Sequence, residues 1–97
     1  MGIFKTKIKA EDLALFLDEV NRAAVEAQKK LNGFYRERYA TAHNANAAII
    51  RSGSNYRGPL VSNEDAARWT AGERKARKDF AVKVEKLAAE LRYKNQD

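Results

Sequence analysis

A single histidine, His43, is the only imidazole this chain offers for proton transfer or metal ligation. It stands in Ala40-Thr41-Ala42-His43-Asn44-Ala45-Asn46, with no neighbouring carboxylate to orient the ring, so it reads as a surface or half-buried residue rather than a general base. The adjacent acids Glu11-Asp12, Asp18-Glu19 and Glu64-Asp65 look at first like paired catalytic carboxylates. Neighbouring helical positions point about 100° apart, however, and two of the pairs sit where helices begin, a place carboxylates favour. The absence of cysteine removes thiolate chemistry, disulfides and cysteine metal cages. No P-loop, HExxH, GxSxG, EF-hand or dinucleotide fingerprint occurs. The sequence thus argues against an enzyme, a cofactor, a metal centre and a small-molecule substrate.

Binding chemistry is better supplied. Nineteen Lys and Arg against 13 Asp and Glu give a net charge of +6, which attracts nucleic acid or an acidic protein surface. Residues 34–63 hold Arg36, Arg38, Arg51 and Arg57 against the lone acid Glu37. Within that stretch Tyr35 and Tyr39 lie one helical turn apart with Arg36 and Arg38 between them, a pattern suited to base stacking, phosphate contact or a protein interface. Arg74, Lys75, Arg77 and Lys78 form the densest basic cluster, and Arg22, Lys29 and Arg36 recur every seven residues as a ridge. The plainer alternative for each basic run is a solvated helix face, and for Tyr35 and Tyr39 a place at the edge of the core. Tyr56-Arg57-Gly58-Pro59-Leu60 is an aromatic and basic Gly-Pro tip; X-Pro bonds in such loops can populate the cis isomer.

The elements that must position these residues are helices. Leu13, Leu17, Val20, Ala24, Ala27, Leu31 and Phe34 alternate spacings of four and three, the rhythm of one helical stripe. Phe34, Arg38, Ala42, Ala45 and Ile49 continue it, with Arg38 as the polar exception. The first helix is placed from about 10 to 50. Gly33 either bends it or breaks it, and continuity is preferred because no Pro or serine-rich loop follows. Residues 51–62 gather two glycines and the sole proline and form the loop. Ser62 then caps a second helix, 63–94, whose stripe is Ala66, Trp69, Glu73, Ala76, Phe80, Val84, Leu87 and Leu91. Two long helices joined by a short connection predict an all-α antiparallel hairpin in a single domain, 1–97, with residues 1–9 as a basic N-terminal arm.

Such a hairpin buries one stripe per helix, whereas helical stability in water comes mostly from tertiary packing. Leu15, Phe16 and Val25 lie off the main stripe and predict a second apolar surface, covered by Ile3, Phe4 and Ile8 of the arm or by a three-helix or dimeric bundle. No run approaches the roughly 20 apolar residues of a membrane span, and the N-terminus lacks a signal-peptide core, so a cytoplasmic setting is expected. The leading expectation is a non-catalytic basic helical protein that docks on nucleic acid or on a complex handling it, through Tyr35, Arg36, Arg38, Tyr39 and the Arg74 to Lys78 cluster. A self-associating structural element, or an inhibitor or adaptor inserting its helical surface or Gly-Pro tip into a larger complex, are the alternatives.

Overall fold

The computed structural model describes residues 7–96, which form two helices, α1 (Ala10–Ser52) and α2 (Asn63–Lys94), in an all-α hairpin. Ile3 and Phe4 of the N-terminal arm lie outside the described residues, and Ile8 is exposed. Both helices carry acids in the first turn and bases in the last, which complements their dipoles. α1 runs unbroken through Gly33, where a Cβ would meet open space, so the glycine serves no packing need.

Local chemistry sets the remaining boundaries. Gly53 adopts φ 67°, the left-handed conformation that L side chains resist, and ends α1. Its amide donates to the Ile50 carbonyl and the Ser54 amide to the Ile49 carbonyl, the paired bonds of a Schellman motif. Ser62 starts α2: its hydroxyl oxygen accepts from the Asp65 amide at 3.0 Å, satisfying a donor the helix cannot.

Tertiary contacts fall into two compact units, Met1–Gln28 with Arg77–Asp97, and Lys29–Ala76. In the first unit the helices run antiparallel: Lys9 and Asp12 meet Asn95, while Phe16 shares a cleft with Leu87 and Leu91. Asn95 is 7% exposed and fully bonded. Its Oδ1 accepts from the Lys9 amide at 2.9 Å, and its Nδ2 donates to the Asp12 carboxylate and the Leu91 carbonyl. One carboxamide therefore joins the start of α1 to the end of α2.

The second unit is built around Trp69, 1% exposed, with Ala76 also buried. The Phe34 ring lies against Gly72, where any Cβ would overlap it, so a close approach of ring to backbone requires glycine there.

The expected α2 stripe faces the core throughout, every member being buried or half-buried. The α1 stripe needs correction at its start. Leu13 and Leu17 are 40% and 51% exposed, and Phe16, expected on the second surface, packs in their place. A strict seven-residue rhythm drifts about 20° per heptad on a straight helix, so within the first unit a stripe facing the partner at the half-buried Ala27 has rotated some 40° by Leu13. Phe16 lies about three whole turns before Ala27 and stays close to its azimuth. No residue of α1 is fully buried.

Candidate binding surface

The Trp69 cluster engages two of the second unit's arginines. Its indole Nε1–H donates to Glu37 at 2.8 Å, as a buried indole must. The Arg38 and Arg68 guanidinium carbons lie 5.6 and 5.4 Å from the ring centroid, within cation–π range. Arg38 also pairs with Glu73 at 3.5 Å, and Arg68 bridges to Glu37 and Asp65. Three of the unit's four carboxylates are therefore tied to two arginines around one indole, and Glu64 is the fourth.

The unit's charge is consequently lopsided. Lys29–Ala76 holds nine Lys and Arg against four Asp and Glu, a formal +5 of the chain's +6. Lys29, Lys30, Arg36, Arg51, Arg57 and Arg74 are all exposed. The first unit, with ten cations and nine acids, is close to neutral.

Of the residues the sequence singles out, Tyr35, Arg36 and Tyr39 stand exposed on α1, whereas Arg38 turns toward α2. Tyr39 is 73% exposed, and its ring stacks on His43 at 6.0 Å between centroids and 10° between planes. Sequence reasoning weighed His43 alone and missed this pairing, although the four-residue spacing announces it. Glu37, Arg68 and Asn95 were also missed, because their partners are remote in sequence or unremarkable in type.

In the loop, Tyr56 lays its ring over Gly58 and donates its hydroxyl to the Pro59 carbonyl at 2.9 Å. The Gly-Pro tip is thus organised by its own tyrosine, no described peptide bond is cis, and Arg57 is exposed. Arg74 and Lys75 belong to the second unit, Arg77 and Lys78 to the first, all exposed on α2. Arg22 of the expected ridge pairs with Asp18 at 3.0 Å on an exposed surface, a contact worth little.

Among the described residues, no helix is long and apolar enough to cross a membrane, and no group of three or more His, Asp or Glu is placed to hold a metal ion. The rings and cations of the second unit can stack on planar groups and contact phosphates. No family model, curated protein or solved structure matches the chain.

Proposed function

We infer that this chain is a non-catalytic basic helical protein that docks on nucleic acid through its second unit. The observation that carries this reading is the charge partition: nearly all the net positive charge belongs to Lys29–Ala76, whose internal pairs absorb three of its four acids. Exposed Lys and Arg neutralise phosphates and release counterions, which makes such binding strong at low salt. The expected residues Arg36, Arg57 and Arg74 take this role, and Arg38 supports the scaffold instead.

Two triple variants of equal charge change test it. Reversing Arg36, Arg57 and Arg74 to Glu should abolish binding of a labelled oligonucleotide, measured by anisotropy. Reversing Lys83, Lys86 and Arg92 of the first unit to Glu should weaken it far less. Equal losses in both would leave only total charge at work and contradict the reading.

Self-association is a second reading, and a separate observation favours it. Leu13, Leu15, Leu17 and Val25 remain exposed in the first unit, on a helix that buries no residue fully. Sedimentation equilibrium at micromolar concentration tests it: a dimer supports the reading, and a stable monomer removes it.

A further inference from the structure

We propose that the second unit takes single-stranded rather than duplex nucleic acid, stacking unpaired bases on the Tyr39 and His43 rings; this rests on the nucleic-acid reading above. Tyr39 and His43 stand in solvent nearly parallel, so their outer faces are open to a planar group. Tyr35 lies one turn earlier and is also exposed. Arg36, exposed on the same helix, supplies a cation for one phosphate beside the stacked bases.

One feature favours a strand over a duplex, and a second favours a phosphate backbone at this face. Every base carries a π-face, but pairing hides those faces inside the stack, so rings on a helix surface gain from unpaired bases only. Between Lys29 and Ser52 the sole carboxylate is Glu37, which is held by Trp69 and Arg68, so no acid of that helix segment opposes a phosphate near the rings.

The test compares three ligands about twelve nucleotides long: an oligothymidylate, an abasic strand of the same charge, and a duplex. The full chain should bind the base-bearing strand roughly fivefold or more tighter than the abasic strand, the duplex ranking no higher than the abasic one. Tyr39→Ala with His43→Ala keeps the lysines and arginines intact and should bring the two strands to equal affinity. Tyr39→Phe with His43→Phe should restore the preference, which guards against a folding effect. Equal affinity of intact protein for abasic and base-bearing strands, or an unchanged preference in the alanine variant, overturns the proposal while the charge-based reading stands. Absence of binding to all three ligands overturns both.

Discussion

Arg36 and Arg38 differ by two positions and by about 200° of helical azimuth, and that difference separates docking from scaffolding. Arg38 pairs with Glu73, whose side chain is only 13% exposed, and covers the Trp69 ring. Arg38→Gln should therefore lower stability by about 1–2 kcal/mol, between the values for exposed and buried pairs, while Arg36→Gln leaves it unchanged; urea unfolding followed by Trp69 fluorescence checks both. Asn95 carries a similar load in the first unit. Asn95→Ala removes three hydrogen bonds and leaves the Leu91 carbonyl without that donor, so a loss of about 1–3 kcal/mol and faster hydrogen exchange at the Lys9 amide are expected. Neither role was legible beforehand. Arg38 appeared as the one polar break in an apolar rhythm, which hinted at its inward position but not at its partner, and Asn95 binds residues more than 80 positions away.

Helix boundaries followed from local chemistry and were largely readable: acids at each start and Ser62 as a cap, while the part of Gly53 in ending the first helix two residues beyond Ile50 was not singled out. Facing was readable for α2, whose core residues include the bulky Trp69, but slipped in the first turns of α1 through heptad drift. The three helical-region glycines illustrate how environment decides a substitution. Gly33→Ala fills open space and gains helix propensity, so thermal stability should rise by about 0.5–1 kcal/mol. Gly72→Ala carries the same propensity gain yet drives a methyl group into the Phe34 ring, and thermal unfolding should show a net loss of about 1–2 kcal/mol. Gly53→Ala strains the left-handed residue that ends α1 and should lower stability by about 1 kcal/mol.

At the scale of the molecule, each compact unit carries a different surface chemistry. The second is strongly basic; the first is near neutral with Leu13, Leu15 and Leu17 exposed, and each exposes a tyrosine, Tyr39 at 73% and Tyr93 at 77%. If those leucines join two copies, Leu13→Glu with Leu17→Glu should shift sedimentation toward monomer without altering the helical circular dichroism, because neither side chain is in the core. The sequence already placed the basic excess in its middle, but it could not show that α2's Arg68, Asp65 and Glu73 would close an internal network with Glu37 and Arg38. That network engages three of the second unit's four acids with two of its nine cations. The most direct measurement is a map of backbone amide shifts by nuclear magnetic resonance as a short single strand is titrated in. Shifts confined to the second unit and centred on Tyr35, Arg36, Tyr39 and His43 are predicted; shifts centred on residues 10–28 and 80–94, or none at all at low salt, would contradict the account.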